Sequence, residues 1–142
     1  MENQMTAASN YLENKILDHT LRVASFTQPS ALYLGLFTNA SSNAASNLEA
    51  GTLTDEVSTS GTAYQRQAIT FGAASGGSSA NSATVTFPVC AGTAWGTISH
   101  VAIMDAQTSG NVLYWGAVTT AKPIDIDDTF QVSTNNITIS LN

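Results

Sequence analysis

Apolar and polar positions alternate with two different periods along this chain. Leu12, Ile16 and Val23, with Leu17, Leu21 and Ala24, recur at helical spacing. Asn10 followed by Glu13 has the form of a capping box. The pattern predicts a helix with a core-facing stripe over roughly residues 7–24, broken at Gln28-Pro29-Ser30. From Leu32 the period becomes two. Leu32, Leu34 and Leu36 alternate with Tyr33, Gly35 and Phe37, which predicts a central strand apolar on both faces. Residues 39–62 are rich in Asn, Ser, Ala, Thr and Gly and read as a long loop, a kind of segment that tends to be functional or mobile.

Further strands are expected at Gln65–Phe71, at Val85, Phe87 and Val89, at Thr97–Met104 and at Val112–Val118. Gly76-Gly77-Ser78-Ser79 and Ser109-Gly110 read as turns, the second as a hairpin turn between the last two of these strands. Ile124, Ile126, Phe130 and Val132 suggest one or two more strands, and Ile137, Ile139 and Leu141 mark a C-terminal one. The expected fold is therefore mainly β: an N-terminal α-helix followed by a seven- to eight-stranded antiparallel β-sandwich or jelly-roll-like domain. At 142 residues the chain is long enough for one core without staples. Residues 10–142 are expected to form that domain, with 1–9 as a flexible polar arm.

Composition narrows the function. Charged residues make up 10% of the chain, against about 25% in a typical soluble protein. Asn, Ser, Thr and Gln supply the polarity instead. Such a surface has few long charged side chains to immobilise, so covering it in an assembly costs little side-chain entropy and little charge desolvation. The net charge is −6. Lys15, Arg22, Arg66 and Lys122 are too few and too scattered to track a phosphate backbone or an anionic membrane, so no nucleic-acid or membrane partner is expected. The first residues have no basic region followed by an apolar one, and no apolar run approaches the ~18 residues of a membrane span. The chain is expected to be made in, and to stay soluble in, a cytoplasm. Cys90, the single cysteine, cannot form an internal disulfide and reads as an inert buried thiol.

Candidate chemistry is sparse. His19 lies on the predicted helix, near its C-terminus, and His100 in a strand. No Gly-x-Ser-x-Gly elbow provides a nucleophile for either. Asp125-Ile126-Asp127-Asp128 clusters carboxylates but lacks the glycine and the terminal glutamate of an EF-hand loop, and reads as a solvated turn. Gly72-Ala73-Ala74-Ser75-Gly76-Gly77 has no Lys-Ser/Thr after it and reads as a turn. No enzyme activity, cofactor or metal is expected. Trp95, Tyr114 and Trp115 are the candidate interface or ligand-contacting residues. Each reads first as a core residue; any of them facing outward would anchor an interface or stack on a sugar ring.

Several segments, taken in order, resemble a known family. They are Asn10–Asp18, Leu32-Tyr33-Leu34-Gly35-Leu36-Phe37, Tyr64-Gln65-Arg66-Gln67-Ala68-Ile69-Thr70-Phe71 and Val85-Thr86-Phe87-Pro88. Trp95–Asp105 and Gly110-Asn111-Val112-Leu113-Tyr114-Trp115-Gly116 follow. Together, over about residues 10–142, the chain is similar to small bacteriophage virion proteins commonly labelled phage tail fibre proteins. That resemblance implies a non-enzymatic structural protein of the virion, partnered by other virion proteins (the major capsid protein or tail proteins) and by copies of itself. Small size and the absence of shaft repeats shift the expectation within that class toward a capsid decoration, or cement, protein. A tail fibre or tail-associated module and a glycan-binding module for host attachment are the alternatives. In the decoration role, the segment before Asn10 would be a docking arm.

Overall fold

The computed structural model describes residues 3–5 and 7–141. In chain order its elements are β1 (Asn3–Met5), β2 (Ala7–Ala8), α1 (Asn10–Leu21), β3 (Tyr33–Phe37), α2 (Ala44–Glu49), β4 (Gln67–Ala68), β5 (Ser78–Ala80), β6 (Val85–Thr86), β7 (Gly96–Met104), β8 (Val112–Ile124), β9 (Gln131–Val132) and β10 (Ile137–Ser140). The fold is mainly β with a helix near its start, as the periodicity predicts. Five strands form an antiparallel sheet in the order β2-β8-β7-β3-β4. Three form a second sheet, β1-β10-β5, in which β1 runs parallel to β10, and β6 and β9 pair as a ribbon.

Alternation along the central strands explains why there are two layers of packing. Leu34 and Leu36 of β3 and Ile98, Val101 and Ile103 of β7 face the main core. They meet Val85, Val132 and Ile137 from the opposing strands, with Phe87, Trp95 and Phe130 between. Phe37, Ala102, Met104 and Val112 point to the other face, where Leu48 of α2 covers them. A strand apolar on both sides is thus explained by a sandwich on one face and a short helix on the other.

The expected arm, residues 1–9, carries paired backbone. Asn3, Gln4 and Met5 are in register with Ile137, Thr138 and Ile139, and Ala7 and Ala8 with Trp115 and Tyr114. The segment passes from one sheet to the other, so its backbone groups are satisfied on both. Residues 1, 2 and 6 lie outside the described residues.

Several boundaries differ from the sequence reading. The helix is capped by Ser9 rather than Asn10: the Ser9 hydroxyl accepts from the Leu12 N–H at 3.3 Å, and Ser9 is itself anchored by its N–H on the Leu113 carbonyl. The 39–62 segment holds α2 and a buried Asp55. Ser78 and Ser79, expected in a turn, pair as β5 with β10, while Gly76 and Gly77 supply the turn. β8 runs on to Ile124 through a large irregularity opposite Ser99. The strands expected at 65–71 and 85–89 shrink to two residues each.

Two buried polar side chains join elements distant in sequence. The Arg66 guanidinium donates from Nε and Nη2 to the two Glu56 oxygens, at 2.6 and 2.7 Å. Its Nη1 donates to the carbonyls of Ala106 (2.8 Å) and Ser109 (2.6 Å) in the β7–β8 turn. Tyr64 completes the knot, donating to Glu56 Oε1 at 2.9 Å while accepting from the Leu36 N–H of β3 at 3.0 Å. Gly35 makes the room: a Cβ there would sit 3.6 Å from both Glu56 Oε1 and Tyr64 Oη and 3.1 Å from Phe37 Cε2. Burial disfavours the Arg66 charge, but the Glu56 carboxylate outweighs it and the guanidinium is held above its usual range. Burial, with the neighbouring Glu56 charge, pushes the Tyr64 phenol well up. The turn gripped by Arg66 needs Gly110, at φ +75, where a Cβ would meet Asp105 Oδ1 at 2.5 Å.

The second anchor is Asn81. Its amide donates to the Ala83 and Ser133 carbonyls, at 2.9 and 3.0 Å, and accepts from the Ile137 N–H at 2.8 Å. It fixes the starts of β6 and β10 to the end of β5.

Removing one member of a buried charge pair leaves the other uncompensated. Arg66→Met is expected to lower unfolding free energy by about 3–5 kcal/mol, read by urea denaturation. Arg66→Met with Glu56→Leu leaves no orphan charge and should cost less than the single change. Equal or greater loss in the double variant would assign the effect to the turn carbonyls and the Tyr64 hydroxyl left without partners, not to an unpaired charge.

Candidate interaction surfaces

The three aromatics singled out by the sequence do not share a surface. Trp95 is only 4% exposed. Its ring stands edge-on to Tyr64 (5.5 Å between centroids) and Phe87 (6.2 Å) in the main core. Its indole Nε1 is buried and has no hydrogen-bond partner among the described residues. Trp95 also lines a shallow cleft of about 540 Å³ with Thr38, Asn39, Thr97 and Ser99. Tyr114 and Trp115 sit on opposite faces of β8, both half-buried. Tyr114 packs against the main core, and burial raises its phenol. Trp115 packs beneath α2 and donates from Nε1 to Glu49 Oε2 at 2.8 Å, tying that helix to the sheet.

His100 and Asp55 approach the pattern of a catalytic pair without completing it. Ser99 Oγ lies 2.8 Å from His100 Nδ1. Asp55 is buried near His100, but its oxygens are taken by the loop: Oδ1 accepts from the Ser41 N–H (2.8 Å), and Oδ2 accepts from Ser41 Oγ (2.6 Å) and Asn47 Nδ2 (3.2 Å). A relay needs the acid on one ring nitrogen and the nucleophile on the other. Here the carboxylate folds the 39–55 segment, a role with no signature in sequence because Ser41, Asn47 and Asp55 are brought together only by α2. The Ser41 hydroxyl bond, opposed by burial, holds the Asp55 carboxyl below its usual range. Burial pulls the His100 imidazole down, with the Asp55 charge opposing it. The remaining carboxylate cluster is a turn, in which Asp128 Oδ2 accepts from the Asp125 N–H at 2.9 Å.

Exposed apolar side chains are the more informative feature. The helix stripe expected to face the core does so only at Leu12. Leu17, Leu21 and Val23 are 53%, 75% and 89% exposed. The backbone past the helix is closed by its own residues: Arg22 N–H donates to the Asp18 carbonyl, and Phe26 N–H to His19 Nδ1 at 3.3 Å. Val89 and Ile126, expected in strands, are about half exposed. Among the described residues no helix is long and apolar enough to cross a membrane.

Both shifted groups in the Ser41–Asp55–His100 region make acid destabilising. Each has a folded pKa below its unfolded value. The His100 contribution is complete above about pH 6.5 and is lost as pH falls toward its lower folded value. The Asp55 contribution persists until pH falls through a folded value below the ordinary carboxylate range. Melting temperature should therefore decline from neutral pH downward, and His100→Gln should flatten the part of that decline that begins below about pH 6.5. An unchanged slope in this variant would remove His100 from the account.

No curated protein matches the chain. The family described as podophage GP4 fiber I protein gp80 has a model that matches residues 7–140. That span takes in β2, α1 with its exposed apolar face, both polar anchors and every strand through β10. The chain therefore belongs to this family of phage fibre proteins, and by that membership it is a component of the virion.

Proposed function

We propose that the chain is a non-enzymatic structural subunit of a phage tail fibre, acting by contact with other virion proteins and with copies of itself, without cofactor, nucleic acid or membrane. The observation that carries this reading is α1. A domain that buries its strands thoroughly leaves most of an apolar helix face in solvent, which is a surface made to be covered. Low charge over the rest of the exterior supports the same reading, because such a surface is cheap to bury. The capsid-decoration role expected from small size draws no specific support from the family match, whose description is a fibre protein. The Ser99–His100–Asp55 geometry, with the carboxylate occupied by Ser41 and Asn47, favours a structural function over hydrolysis.

Copy number per purified particle, measured by quantitative mass spectrometry against the major capsid protein, tests this. A few to tens of copies are expected for a fibre subunit. Hundreds would return the protein to the capsid surface, and absence from particles would overturn a virion role.

A further inference from the structure

We infer that the cleft between the 59–66 segment and the β7–β8 turn is a binding site for a neutral saccharide, gripped through its hydroxyls by the Arg66–Glu56 pair at the cleft floor. The inference goes beyond the fibre-subunit reading and does not depend on where on the particle the chain sits.

The cleft holds about 540 Å³, within the range of small-molecule sites. Glu56, Tyr64 and Arg66 form its floor. The fold uses most of what these groups offer, but not all of it. A guanidinium has five N–H donors. Four are spent on Glu56 and on the Ala106 and Ser109 carbonyls. The second N–H of Nη2 has no partner among the described residues, although Arg66 is only 3% exposed. A buried donor left unpaired is unfavourable. Beside it, Glu56 Oε1 accepts two bonds but Oε2 only one, from that same Nη2 at 2.7 Å. The Glu56 side chain keeps 16% of its surface exposed. A spare charged donor and a spare charged acceptor therefore lie side by side.

The walls are uncharged. Thr59 and Gln65 stand on one side, and Gln107, Thr108 and Ser109 of the turn on the other. All five are exposed, and none of their side chains has a hydrogen-bond partner among the described residues. Hydroxyls and carboxamides both donate and accept, so the rim is free to bond in either sense.

The ligand class follows from these groups. Glu56 and Arg66 are the charged residues of the lining, and they neutralise each other. A charged ligand would meet no uncompensated counter-charge to offset its desolvation. A trans peptide unit points its N–H and C=O in opposite directions, so one unit cannot serve a neighbouring donor and acceptor together. A hydroxyl donates and accepts at a single atom, and adjacent hydroxyls on a sugar ring do so side by side. Their bonds to Arg66 and Glu56 would be charge-assisted. The Tyr64 ring is buried and stacked on Phe87, so it offers no platform to a sugar face. Binding by hydrogen bonds alone is expected at millimolar single-site affinity.

The test is an NMR titration of the isotope-labelled full-length chain with the neutral methyl glycosides of glucose, galactose, mannose, rhamnose and N-acetylglucosamine. At least one should saturably shift the Arg66 Nε–H and the carboxamide resonances of Gln65 and Gln107. Glycerol at matched hydroxyl concentration should not. Gln107→Ala with Thr108→Ala removes two exposed side chains that bond to nothing in the fold. That variant should keep the parent's melting temperature and bind the same glycoside about tenfold more weakly. The inference is overturned if no glycoside shifts these resonances, if glycerol shifts them equally, or if the variant binds as well as the parent. Tighter binding of N-acetylglutamine amide than of any glycoside would also overturn it, giving the cleft to a carboxamide side chain of a protein partner. Copy number on the particle is measured independently, so a failure here is distinguishable from a failure of the fibre reading.

Discussion

The Arg66–Glu56 pair is the constraint on which the architecture turns. Arg66 is one of only four basic residues, and it is almost fully buried. A charge taken out of water is tolerated only when its hydrogen-bonding capacity is met. Four of its N–H directions are used, two on Glu56 and two on carbonyls of the β7–β8 turn. Through Tyr64 the same knot reaches the backbone of β3. One side chain thereby sets the tight end of the longest hairpin relative to the strand beside it. Because an unsatisfied guanidinium is so unfavourable, alternative registers of β7 and β8 that would move Ala106 and Ser109 are penalised.

The same logic recurs with uncharged or single-charge groups. Asn81 holds three short strands that have too few ladder bonds to fix themselves, and Asp55 does so for the segment around α2. A chain with strands of two or three residues at its margins needs such anchors, since an isolated ribbon of that length is not stable in water. Each anchor also spends a polar side chain inside, leaving Ser, Thr and Asn to solvate the outside. The low charge of the exterior and the polar knots of the interior are two sides of one composition.

How much of this was legible in sequence depends on the range of the interaction. β3, β7, the start of β8 and β10 were readable because their apolar alternation is local and the core merely accepts it. The hairpin turn was readable from Ser109-Gly110. The strands at Gln67 and Val85 are shorter than their apolar pattern suggests because that pattern continues into irregular backbone bonded at single points, Ile69 N–H to the Leu32 carbonyl, Phe87 N–H to the Phe130 carbonyl and Cys90 N–H to the Asp128 carbonyl. α2 has no local signature, because Ala44–Glu49 is one short turn-and-a-half without periodicity, stabilised by Leu48 burial and the Glu49–Trp115 bond. Trp95 occupies the core that its size suggests, whereas nothing local to Trp115 in the sequence points to its bond with Glu49 of α2.

The helix stripe is the most instructive difference. Periodicity reports that one face of a helix is apolar; it does not report what covers that face. In a chain that folds alone, the default is the protein's own core. In a subunit of an assembly the covering surface can belong to another molecule, and the sequence looks the same. Val23, β-branched at φ +59 and 89% exposed, is a position that the chain's own packing does not account for. The mismatch between predicted stripe and observed burial is therefore a statement of how much of that stripe the chain's own core leaves uncovered. It falls within the region that identifies the chain as a phage fibre protein.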